Sequence, residues 1–130
     1  MVLATAAPAL AKPLTEKQWR RQANAICTQV GNEIGALDAE LLQDYVQSTP
    51  EQVAAFVERA VPVFSEGIAA IDALNEPRAL HADVKRLVRT ATKELDAVLD
   101  SPSILTETQG DALPKTGKIS KKLGITCNSS

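Results

Sequence analysis

The chain is short of aromatic residues, with one Trp, one Tyr and two Phe among 130 residues. Leu, Ile, Val and Ala must therefore fill whatever core it builds. Histidine is scarcer still: His81 stands alone, and two cysteines, Cys27 and Cys127, lie far apart in the chain. That inventory excludes a Cys-x-x-Cys redox motif, a tetrahedral zinc site of the usual Cys and His type, and covalently attached haem. A di-iron bundle needs Glu-x-x-His motifs from two helices, and position 78, three before His81, is Arg78. Neither a glycine-rich dinucleotide fingerprint nor a phosphate-cradling P-loop occurs, and no calcium-binding loop is present. No apolar run approaches the roughly 18 residues of a spanning helix, so the chain is not expected to be transmembrane. A net charge of −2, with no aromatics interleaved among the lysines, argues against a nucleic-acid partner. No metal, cofactor or catalytic residue is expected, and the chain does not read as an enzyme.

What is present is helical patterning. Apolar residues make up 45% of the chain, enough for one domain with one core. Thr15-Glu16-Lys17-Gln18 has the form of a capping box and starts a first helix. Its stripe of Trp19, Ala23, Ile26, Val30, Ile34, Leu37 and Leu41 follows a three- and four-residue spacing, and the helix is expected to end near Val46. Gly31 and Gly35 fall on that helix and mark a close crossing or a bend. Thr49-Pro50-Glu51-Gln52 repeats the start signal with proline at the first helical position. The second helix buries Val53, Phe56, Val57, Ala60, Phe64, Ile68, Ile71 and Leu74, with Pro62 expected to kink it. Pro77 opens a third helix with the stripe Leu80, Val84, Leu87, Ala91, Leu95 and Val98. Beyond Asp100, Gly110, Pro114 and Gly117 interrupt any long pattern. A short fourth helix over Lys115 to Leu123, ended by Gly124, would turn Ile119, Leu123 and Ile125 toward the bundle. The fold expected is all-α: an up-and-down three- to four-helix bundle with a weak fourth helix and a C-terminal tail stapled to the first helix.

The staple would be a disulfide between Cys27 and Cys127. An even cysteine count with remote partners reads as one structural bridge, the alternative being two unrelated buried thiols. Met1 to Ala11 are small or apolar and end in Ala9-Leu10-Ala11, a small-x-small pattern of the kind signal peptidase cleaves. Residues 1–11 thus read as a signal-peptide remnant and residues 12–130 as a single helical-bundle domain located outside the cytoplasm. Charge is uneven: between Val30 and Glu76 nine acidic residues face one basic residue, Arg59, whereas Lys115, Lys118, Lys121 and Lys122 crowd the end. These faces suit a protein or envelope-polymer partner, or serve only to keep the domain soluble.

Trp19 with Asn24-Ala25-Ile26-Cys27, the break Leu74-Asn75-Glu76-Pro77, and the ending Leu123-Gly124-Ile125-Thr126-Cys127 resemble a group of small exported bacterial helical proteins. Its members share an N-x-I-C element near the mature N-terminus, an L-x-x-P break after the second helix, and a terminal L-G-x-x-x-C, which this chain approaches with one residue fewer between Gly124 and Cys127. The resemblance implies a disulfide-bonded bundle outside the cytoplasm and carries no assigned activity. The broken fourth helix departs from the group's pattern. Two functions fit: a non-enzymatic exported bundle acting by binding or structural association at the cell envelope, or a carrier of a small hydrophobic ligand or haem between the helices. His81 and Tyr45 are the available haem ligands. His81 otherwise belongs on the surface or beside a carboxylate such as Asp83.

Overall fold

Both threonine start signals form as their spacing dictates. In the computed structural model, which describes residues 12–42, 48–108 and 111–126, helix α1 spans Glu16–Leu41 and α2 spans Pro50–Asp72. Thr15 Oγ1 accepts from the Gln18 amide at 3.1 Å while the Gln18 side chain accepts from the Thr15 amide at 3.0 Å. Thr49 and Gln52 repeat the exchange at 3.1 and 2.8 Å. Each box satisfies amides that a helix start leaves unpaired, and a cap of this kind is worth about 1 kcal/mol. Helix α1 stops earlier than expected: it ends at Leu41, and Leu42 is extended and buried. The expected end near Val46, the Ala9-Leu10-Ala11 site, Tyr45 and Cys127 lie outside the described residues.

Helix α3 spans Arg78–Asp100 behind Pro77, and all six of its stripe residues are buried. A five-residue helix, α4, Ser103–Glu107, follows and was not anticipated; Leu105 is its buried residue. Helix α5 spans Pro114–Lys122. Pro114 does not interrupt this helix but opens it, at the first position where the missing amide has no intrahelical role. Gly117 lies inside it and is exposed. The exit is a Schellman turn: Gly124 has φ +80°, its amide donates to the Lys121 carbonyl, and the Ile125 amide donates to the Ser120 carbonyl. A Cβ at position 124 would also lie 2.8 Å from Arg20 Nε, so glycine is required there twice over.

Two buried clusters set the topology. One joins the start of α1 (Trp19, Ala23), the end of α2 (Ile71), the start of α3 (Leu80, Val84, Leu87) and the α5 exit (Leu123, Ile125). The other joins Leu42 after α1, the start of α2 (Val53, Phe56, Val57, Ala60), Val98 near the end of α3, and Leu105 of α4. Helices α1, α2 and α3 therefore run up, down and up, with the short α4 and α5 standing where a fourth long helix would complete the bundle. Among the described residues every regular element is helical. No helix among them is long and apolar enough to cross a membrane.

A close crossing of α1 and α2 is built by Gly67, a glycine on the other helix. Gly67 on α2 is buried, and a Cβ there would sit 2.5 Å from Val30 Cγ2 and 3.9 Å from Ile26 Cγ2 of α1. Gly35, in contrast, has nothing within 4 Å of its Cβ position. Pro62 is exposed, and α2 continues through it.

Candidate ligand-binding site

The three sequence elements behind the resemblance converge on the Trp19 end of the bundle. Asn24 Nδ2 donates to the Gly124 carbonyl at 3.3 Å, and Asn24 Oδ1 accepts from the Thr126 amide at 2.6 Å. Arg20 Nε donates to the Leu123 carbonyl at 3.0 Å, satisfying an oxygen at the helix exit. The Leu14 amide donates to the Asn75 carbonyl at 2.8 Å, tying the segment that leads into α1 to the α2–α3 break. Cys27, one turn beyond Asn24 on α1, is half-buried against this cluster and is not a free thiol. Its expected partner, Cys127, immediately follows Thr126 in the chain. Trp19 is wholly buried, and its Nε1 has no hydrogen-bond partner.

Between the two clusters the packing opens. One cavity of about 240 Å³ is walled by Phe56, Ala60, Val61, Leu95 and Leu105, with Ala112 and Asp111 at its side. A second, of about 310 Å³, is walled by Ile26, Val30, Ile68, Ile71, Leu87 and Ile125, with Cys27, Thr116 and Ser120 as its polar members. Phe64 and Leu113 line both. The cause lies in helix lengths. At 1.5 Å per residue, α2 and α3 are each about 35 Å long, whereas the nine residues of α5 reach about 13 Å. The fourth corner of the bundle is thus covered by two short pieces instead of one full helix, and apolar surface of α2 and α3 remains uncovered between them.

Helix α5 is fixed over this gap from outside itself. Its N-cap residue, Leu113, offers no capping side chain, and Glu94 of α3 takes that role. One Glu94 oxygen accepts from the Lys115 amide at 3.0 Å; the other accepts from the Thr116 amide at 2.8 Å and the Thr116 hydroxyl at 2.6 Å. A carboxylate at a helix start also meets the positive end of the helix dipole. Thr116 is 7% exposed, and with its proton committed to Glu94 its oxygen has only lone pairs left to offer.

The single histidine stays apart from this site. His81 is exposed, and its Nδ1 lies 2.7 Å from Glu76 Oε2, a carboxylate whose side chain is only 8% exposed. Glu76, not Asp83, is therefore its partner; Asp83 pairs with Arg86 at 3.5 Å and Lys122 at 3.6 Å. His81 lines neither cavity. Among the described residues no group of three or more His, Cys, Asp or Glu side chains is arranged to hold a metal ion.

Comparison with protein-family models, with curated proteins and with solved structures yields no match to this chain. The site therefore stands on its own geometry. Sequence reasoning placed Phe64 and Ile68 in the core stripe but did not see that they border open space. Leu113 carried no signal at all, because its role depends on where two short helices come to rest.

Proposed function

We propose that this chain is an exported, non-enzymatic helical bundle that binds a small hydrophobic ligand between its helices. The observation that carries the reading is the pair of apolar cavities that share Phe64 and Leu113 in their linings. A bundle used only for structural association has no need of apolar clefts left uncovered between its helices. Apolar walls with a few convergent polar groups are the usual make-up of a small-molecule site. The haem form of the reading is the weaker one, because His81 is paired with Glu76 outside both cavities. Location outside the cytoplasm rests on Ala9-Leu10-Ala11 and on the Cys27–Cys127 bridge, which the Asn24 and Arg20 bonds to residues 123–126 favour by holding the tail beside α1. The resemblance to small exported bundle proteins agrees with this location.

The test is a native mass spectrum of protein exported by a bacterial host without reductant, followed by titration with Nile red, an uncharged apolar dye. An apolar adduct, or stoichiometric dye binding displaced by aliphatic compounds, is expected. A bare protein that takes up no dye would overturn the reading. A mass beginning at Lys12 and lacking two hydrogens is the expected sign of export and the bridge.

A further inference from the structure

We propose that the two cavities form one elongated site for a single unbranched aliphatic chain with an uncharged hydroxyl head, the chain passing between Phe64 and Leu113. This rests on the apolar-ligand reading above and names the class of ligand.

Shape argues first. The first cavity takes its α2 wall from Phe56 to Phe64 and the second from Phe64 to Ile71, so the two follow one another along that helix. From Phe56 to Ile71 the rise is about 22 Å. Taken alone, the cavities of about 240 and 310 Å³ lie at or below the lower end of ligand pockets, roughly 300 Å³; joined, they fall well inside the range. A space of that length suits an extended chain, whereas a compact ring system would reach along only part of it.

Charge argues for the head. Neither lining contains a lysine, arginine or histidine, and Asp111 borders the first cavity. A carboxylate or phosphate drawn into this space would lose its hydration without gaining a cation. The second cavity is lined by Thr116, whose hydroxyl gives its proton to Glu94 and so can act toward a ligand only by accepting from a donor. A ligand hydroxyl supplies that donor, and Ser120 adds a second hydroxyl to the same wall.

The experiment is a titration of the full chain with octanol, decanol, dodecanol and tetradecanol and with the matching carboxylates at neutral pH. It is read by the fluorescence of Trp19, the only tryptophan, which packs in one cluster with the cavity residues Ile71, Leu87 and Ile125. Burial of each added methylene is expected to tighten binding about fourfold through tetradecanol. The carboxylates are expected to bind about tenfold more weakly or worse, the order of one lost hydrogen bond or more.

Two variants test the crossing. Gly117→Leu starts a side chain in the second cavity's lining where a Cβ meets nothing, and leucine suits a helix better than glycine. Ala112→Leu narrows the first cavity. With thermal unfolding showing both variants folded, each is expected to weaken tetradecanol about tenfold or more, Ala112→Leu while leaving octanol, seated in the second cavity, nearly unchanged. The proposal is overturned, with apolar binding intact, if affinity stops rising at decanol, if only one variant weakens tetradecanol, or if carboxylates match their alcohols. Absence of binding by any member of the series overturns this proposal and the carrier reading together.

Discussion

The two ends of the bundle are closed in different ways. At the Trp19 end four helices meet, and the largest fully buried side chains, Trp19, Leu87, Leu123 and Val84, all belong to that cluster. Backbone at the α5 exit is held there by Arg20 and Asn24 from the far end of the sequence. At the Phe56 end the cover is the five residues of α4, and Phe56 itself borders a cavity. Fully buried packing is thus concentrated where the start of α1 meets the α5 exit, although Ile71, Leu87 and Ile125 of that cluster also wall the second cavity. Trp19 lines neither cavity whereas Phe56 lines one, so these two aromatics separate packing that only secures the fold from packing that also borders a binding space.

Truncating one aromatic at each end puts the comparison at risk most directly. Trp19→Ala is expected to cost about 4 to 5 kcal/mol, near the top of the range for a large aromatic in a sealed core. Phe56→Ala should cost nearer 3 kcal/mol, since its loss enlarges a space already present. Urea unfolding of the two variants decides the matter; equal losses would mean that the ends are equivalent. A smaller effect, about 1 to 3 kcal/mol, is expected of Gly67→Ala, where the new Cβ meets Val30 Cγ2 at 2.5 Å. Val30 cannot easily turn aside, because a β-branched residue in a helix has one strongly preferred rotamer. Asn24→Ala removes two bonds to exposed backbone that water can replace, so about 1 kcal/mol is expected. Its sharper readout is hydrogen exchange, in which the Thr126 amide should lose protection while amides of α3 keep theirs.

Legibility in the sequence followed the range of the interactions. The Thr15 and Thr49 caps depend on residues three positions apart, and the α3 stripe depends on one helix's own periodicity; both formed as written. Ile119, Leu123, Gly124 and Ile125 were placed correctly because a glycine exit and an apolar spacing are local as well. Pro114 was misjudged: the same residue that breaks a helix interior starts one at its first position, and the capping group that permits this start, Glu94, comes from another helix. The cavities were hidden for a stronger reason. They exist because α4 and α5 settle at two places on α2 and α3, and no spacing within either segment records the gap left between them.

Glycine gives the smallest effect and the cleanest contrast with it. Gly31 and Gly35 attracted attention because they stand four apart on α1, as residues at a close crossing do. Gly35 nonetheless faces open space, whereas Gly67, unpaired in the sequence, bears the crossing. The same replacement should therefore have opposite signs at the two sites. Gly35→Ala relieves the backbone entropy of a helical glycine without meeting a neighbour, and is expected to stabilise by about 0.5 to 1 kcal/mol, against the loss at Gly67. Urea midpoints measured side by side at constant m read both signs. A destabilised Gly35→Ala would place a second close approach on α1, and would shift the α1–α2 contact toward the Phe56 end of the bundle.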